Sequence, residues 1–151
     1  MMEAQQMANL LRRMRHDFAN HLQVISGYLE MGWESQLSDY VRNITAVLNQ
    51  ERIAFEAVGP EAALYFYEQL LMIKDMGIIL IYEDLEIASV QVLQANHEPF
   101  NSIAAMRPEI PVGDDEPVLY LSIHEDETHI DMFFSSDMWR EESRQISIIK
   151  E

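Results

Sequence analysis

Among the 151 residues, one short run has the residue types and spacing to do chemistry: Arg12-Arg13-Met14-Arg15-His16-Asp17-Phe18-Ala19-Asn20, with Gln23 beyond it. A neutral imidazole is a good nucleophile near neutral pH, and attack on a phosphoryl group gives a phosphohistidine. Phosphoryl transfer spreads negative charge over the equatorial oxygens of a loose transition state. Guanidinium groups at Arg12, Arg13 and Arg15 can offset that charge. Asp17 can hold one ring nitrogen as N–H, leaving the other free to attack, and Asn20 stands one helical turn on, able to contact the ring or the phosphoryl group.

The element that must position these groups is a helix. Apolar residues recur at 3-4 spacing from Ala4 to Tyr28 (Ala4, Met7, Leu11, Met14, Phe18, Ile25, Tyr28), with His21 as the polar member and with Leu22 and Leu29 widening the stripe. With Leu11 and Phe18 at a, and Met14 and His21 at d, His16 falls at f, farthest from the seam. His21 on the seam is assigned to structure, and Met7, Met14, Phe18, Ile25 and Tyr28 to the core. Gly32 sits where a left-handed cap belongs. A second stripe, Leu37, Val41, Ile44, Leu48 and Phe55, predicts a helix over about residues 35–56. Two helices joined by a short turn make an antiparallel hairpin whose seams need another helix pair, and a homodimeric four-helix bundle is the simplest way to supply it.

Gly59-Pro60 marks a joint, giving a helical domain over 1–57 and a second domain over 58–151. In the latter, 61–76 reads as a buried helix ended by Gly77, 78–87 as a strand, and 87–106 as partly helical. Residues 107–117 read as a loop and 117–136 as a hairpin. A short helix over 137–144 and a strand over 145–149 close the chain. The fold class is therefore α+β, a helical hairpin followed by a small α/β sandwich. His124 and His129 are placed opposite each other across the hairpin. HEDETH (124–129) has one residue too many for the HExxH zinc motif and lies in strand sequence, so no metal site is expected.

The absence of cysteine excludes disulfides and thiolate metal sites. No apolar run reaches membrane-spanning length and no signal-peptide pattern opens the chain, so a cytoplasmic protein with no membrane partner is expected. The net charge of −16 disfavours nucleic acid. That charge is uneven: residues 1–52 hold five basic and six acidic groups, and 53–151 hold five and 20. Partners of acidic surface are expected to engage the hairpin and avoid the C-terminal domain.

The segment RHDFANHLQVISGYLEMG (15–32) resembles the phosphoacceptor helix of the sporulation initiation phosphotransferase family, whose B-type helical domain is shared with citrate/fumarate-type sensor kinases. The resemblance implies that His16 is the phosphorylated residue, with Arg15, Asp17 and Asn20 as its companions, in a dimeric bundle. It implies a histidine phosphotransferase of a phosphorelay that takes phosphate from one response-regulator receiver and passes it to a second. Mg2+ would come from the receiver, with no cofactor of the chain's own. Arg12, Arg13 and Gln23 are the expected receiver-binding residues. Residues 58–151 then resemble a degenerate kinase ATPase fold: after Gly77 only Gly113 remains, so the Gly-rich loops that hold nucleotide phosphates are missing. The alternative is a non-catalytic, kinase-related module that dimerises with a sensor kinase and regulates it.

Overall fold

The 3-4 rhythm of the first thirty residues becomes α1, Ala4–Met31, in a computed structural model that describes residues 3–110, 116–137, 139 and 143–150. Gly32 adopts φ 70°, a conformation costly for any residue with a Cβ. Its N–H donates to the Leu29 carbonyl (3.2 Å) and that of Trp33 to the Tyr28 carbonyl (3.0 Å), so two of the helix's last free acceptors are satisfied by a Schellman turn. α2 follows at once, Glu34–Glu56.

The chain divides into two units, Met1–Asn49 and Gln50–Glu151, with the last turns of α2 counted in the second. Within the first unit the expected seam splits. His21 and Tyr28 turn toward α2, where both meet the ring of Tyr40. Leu11, Met14, Phe18, Leu22 and Leu29 stay exposed, as do Val41 and Leu48 of α2. Placing Met14 and Phe18 in the core is thus corrected for the single chain: two helices enclose one edge of each stripe and leave the other in water.

In the second unit α3, Pro60–Asp75, starts with proline in its first turn and buries side chains on nearly every side, Phe66 and Ile73 completely. Gly77 (φ 83°) turns the chain into β1, Ile79–Glu86. The stretch expected to be partly helical forms two short helices, α4 (Gln91–Ala95) and α5 (Phe100–Met106), and a 3-10 turn at Arg107–Glu109. Gly113 lies outside the described residues. β2 (Val118–Glu125), β3 (His129–Ser135) and β4 (Arg144–Ile149) complete a sheet of order β1-β2-β3-β4, with β1 parallel to β2 and the other pairs antiparallel. Of the helix expected at 137–144, Met138 and residues 140–142 lie outside the described residues, and Arg144 already belongs to β4.

Alternation along the strands sends Leu80, Leu119, Leu121, Ile123, Ile130, Met132 and Phe134 into the core. β1 would lose this phase after Tyr82, but Glu83 is an extra residue opposite β2 and the bulge returns Leu85 to the buried face. Among the described residues, buried polar side chains are matched with the exception of the Trp139 indole N–H, which has no hydrogen-bond partner. The Tyr82 hydroxyl donates to the Phe66 carbonyl (2.7 Å), and Gln69 Oε1 accepts from the Phe100 N–H (2.9 Å). Glu98 Oε1 accepts from the Ser102 N–H (2.8 Å) at the start of α5. Each satisfied group avoids the 1–3 kcal/mol, roughly, that an unpaired buried one costs.

Candidate functional site

α1 displays His16 to solvent, its side chain 72% exposed. Among the described residues, the polar groups near the ring gather at Nδ1. Its Nδ1 lies 3.4 Å from the Asn20 amide nitrogen and 3.8 Å from Asp17 Oδ1. The second distance is too long for a hydrogen bond, so Asp17 acts on the ring as a nearby charge in this conformation. Helix geometry explains the difference: a residue at i+4 stands one turn along the same face, whereas i+1 projects well around the cylinder. Nε2 has no hydrogen-bond partner among the described residues.

The arginines are not equivalent. Arg13 Nε lies 3.6 Å from Asp17 Oδ2, both side chains being less than a third exposed. Arg12 Nη1 donates to Asn9 Oδ1 at 3.1 Å, an oxygen that also accepts from the Gln5 side-chain amide. Arg15 and Gln23 are exposed on the same helix. The site is thus a cluster around Nδ1 (Asp17, Asn20 and, through Asp17, Arg13) with Arg12, Arg15 and Gln23 as exposed neighbours.

One turn away, His21 Nδ1 meets the Tyr40 hydroxyl at 2.7 Å, with ring centroids 5.8 Å apart. Burial, with a smaller contribution from Tyr28, raises the Tyr40 pKa, so the phenol stays neutral and keeps its proton for hydrogen bonding. Tyr40 was not among the α2 positions picked out by hydrophobicity. Its signal is its place one turn after Leu37 and one before Ile44, a tyrosine on an otherwise aliphatic stripe. Together His21 and Tyr40 fix the two helices in register beside His16.

The remaining histidines belong to the second unit. His124 and His129 do not face each other: His124 is opposite Asp131 in the β2–β3 ladder, and His129 is opposite Ile149 of β4. The ladder closes with Glu125 opposite Ile130, one residue later than a His124–His129 pairing requires, and this offsets the two histidines along the strands. His129 Nδ1 contacts Thr128 Oγ1 at 2.6 Å. His124 instead meets β1, with Glu86 Oε2 2.9 Å from Nδ1 and Asp84 Oδ2 3.6 Å from Nε2. The parallel pairing of β1 and β2 brings His124 to two carboxylates that precede it by 38 and 40 positions in sequence.

A helix that shows one flanked imidazole to water and folds back through a glycine-capped turn defines a histidine-bearing helical hairpin. Residues 1–57 match the family model described as sensor kinase SpoOB-type, alpha-helical domain. The match ends one residue beyond α2. Comparison with curated proteins finds no match. No helix among the described residues is long and apolar enough to cross a membrane.

Proposed function

We propose that this protein is a histidine phosphotransferase of a phosphorelay, with His16 as the phosphoacceptor. The observation that carries the reading is the His16 ring: it is exposed, is approached at Nδ1 by Asn20 and Asp17, and presents Nε2 to solvent within a SpoOB-type helical domain. In the forward step the Nε2 lone pair attacks the phosphorus of a receiver's aspartyl phosphate. The P–O bond breaks with its electron pair leaving on the receiver carboxylate. Attack through Nε2 uses the tautomer with its proton on Nδ1, toward which Asn20 turns its amide oxygen in place of the N–H it presents in the resting chain; the ring becomes positively charged as the N–P bond forms, and the Asp17 carboxylate offsets that charge. The reverse step, onto a second receiver, regenerates neutral His16. The receiver supplies Mg2+ from its own acidic pocket.

The working unit is a homodimer. The exposed stripe of Leu11, Phe18, Leu22 and Leu29 on α1, with Val41 and Leu48 on α2, carries no charge and needs cover. A second copy supplies the same stripe, giving a four-helix bundle with both His16 side chains on its outside. Arg12, Arg15 and Gln23 provide a docking rim for an acidic receiver surface, with Arg13 adding to the positive charge there. The C-terminal unit, bearing 20 acidic and five basic groups over 53–151, repels such a partner. Its helix-strand order and single glycine after Gly77 fit a kinase-type ATPase unit that has lost its nucleotide loops. Both reactions take place in the cytoplasm, where receivers reside.

Incubation with labelled ATP alone and, separately, with phosphorylated receivers tests the reading. Acid-labile label on His16 from a receiver and not from ATP supports it. No label from any receiver, together with capture of a sensor kinase into a mixed dimer, favours the regulatory module instead.

A further inference from the structure

The least exposed polar side chain next to His16 is Asp17, at 23%. Its carboxylate is divided between two neighbours: Oδ2 faces Arg13 Nε at 3.6 Å and Oδ1 faces His16 Nδ1 at 3.8 Å. An aspartate adjacent to a histidine on a free helix has staggered side-chain rotamers to choose from, and only some aim an oxygen at the ring. A cation at i−4 favours the rotamer in which Oδ2 turns back along the helix, and this leaves Oδ1 toward Nδ1. Arg12, the next residue round the helix, is engaged elsewhere, with Asn9.

We propose that Arg13 is a positioning residue for phosphoryl transfer: it holds Asp17 in the rotamer that faces His16 Nδ1. The inference rests on His16 being the phosphoacceptor. It changes the part assigned to Arg13, whose charge acts first within the chain and only secondarily on a docked receiver. Arg13 acts through Asp17, which stabilises the positive charge the ring acquires as the Nε2–P bond forms.

A docking role and a positioning role separate when the donor needs no docking. Phosphoramidate is such a donor. Its P–N bond breaks as Nε2–P forms, and ammonia leaves with a proton taken from solvent. The experiment measures the initial rate of His16 labelling by phosphoramidate in the full-length chain, for the wild type and for Arg13→Gln, Arg13→Lys, Asp17→Asn and the double variant Arg13→Gln/Asp17→Asn. Circular dichroism checks that each variant keeps its helices. A single i,i+4 ion pair biases a rotamer modestly, so Arg13→Gln is expected to slow labelling about two- to fivefold. Arg13→Lys is expected to restore most of the rate. The double variant is expected to be no slower than Asp17→Asn alone, because the two residues act in series. Wild-type labelling of Arg13→Gln, or a double variant slowed by the product of both single effects, overturns the proposal. Labelling by phosphoramidate in this pattern with none from any receiver sinks the phosphorelay reading and leaves the Arg13–Asp17 relation standing.

Discussion

Phe18 is 64% exposed in the single chain, an unusual position for a phenylalanine two residues from a polar site. Replacing it with alanine isolates association from folding, because truncating a side chain that one chain leaves in water costs that chain little. A phenylalanine buries about 150–250 Å² when fully covered. With 64% still exposed, about 100–150 Å² is available to a partner. At about 25 cal/mol per Å², covering it yields about 2.5–4 kcal/mol, an upper range because rigid-body association has its own entropy cost. Alanine retains part of that, so the loss is about 2 kcal/mol per copy. Symmetry doubles it to about 4 kcal/mol, roughly a thousandfold in the dimer dissociation constant. Sedimentation velocity over a dilution series reads this directly. The wild type is expected to sediment as a dimer at concentrations where Phe18→Ala is a monomer with unchanged helix content. A wild type that stays monomeric at high concentration, or a variant that dimerises as tightly as the wild type, refutes the bundle.

Other outcomes follow from the surface and the turns. Arg12→Glu is expected to slow receiver association several-fold at low ionic strength, with the difference shrinking as salt is added, because exposed charges steer encounter and are screened. Stopped-flow association rates at several salt concentrations check this, and an unchanged rate at low salt counts against docking on that face. Asp126 holds the β2–β3 turn by accepting N–H bonds from Thr128 (2.8 Å) and His129 (2.6 Å), and these bonds lower its pKa below the ordinary carboxylate range. A depressed folded-state pKa means that the turn's stabilisation is complete above the unfolded-chain value and is lost as pH falls through the folded one. The amide proton shifts of Thr128 and His129 should therefore move together, with a midpoint below that of an unstructured aspartate. A midpoint at or above it contradicts the assignment.

Much of this molecule is legible in its sequence because local rules and tertiary packing agree. The 3-4 stripes, Gly32 and Gly59-Pro60 predict α1, α2 and the start of α3 to within a residue or two, since each cap has the conformation its residue favours. The exposure of His16 follows from its f position. What could not be read has identifiable causes. The bulge at Glu83 changes which β1 residues share a face with His124, and no period-2 pattern announces an extra residue. The two histidines of HEDETH are offset because the ladder pairs Glu125 with Ile130, which moves the turn from the expected 125–128 to 126–129. Heptad assignment located the seam and could not say which edge a single α2 would cover, so it did not separate His21 and Tyr28, which meet Tyr40, from Met14 and Phe18, which one chain leaves exposed. The Arg13–Asp17 pair was available as a simple i,i+4 spacing, obscured by three arginines within four residues.

The account turns on phosphate passing between another protein's aspartate and the His16 ring. The most direct test mixes a phosphorylated receiver with the wild-type chain and with His16→Gln, then follows acid-labile label by residue-resolved mass spectrometry. The account predicts label on His16 of the wild type, its loss from the receiver at the same rate, and none on His16→Gln. Label on His21, or equal label on the wild type and His16→Gln, contradicts it.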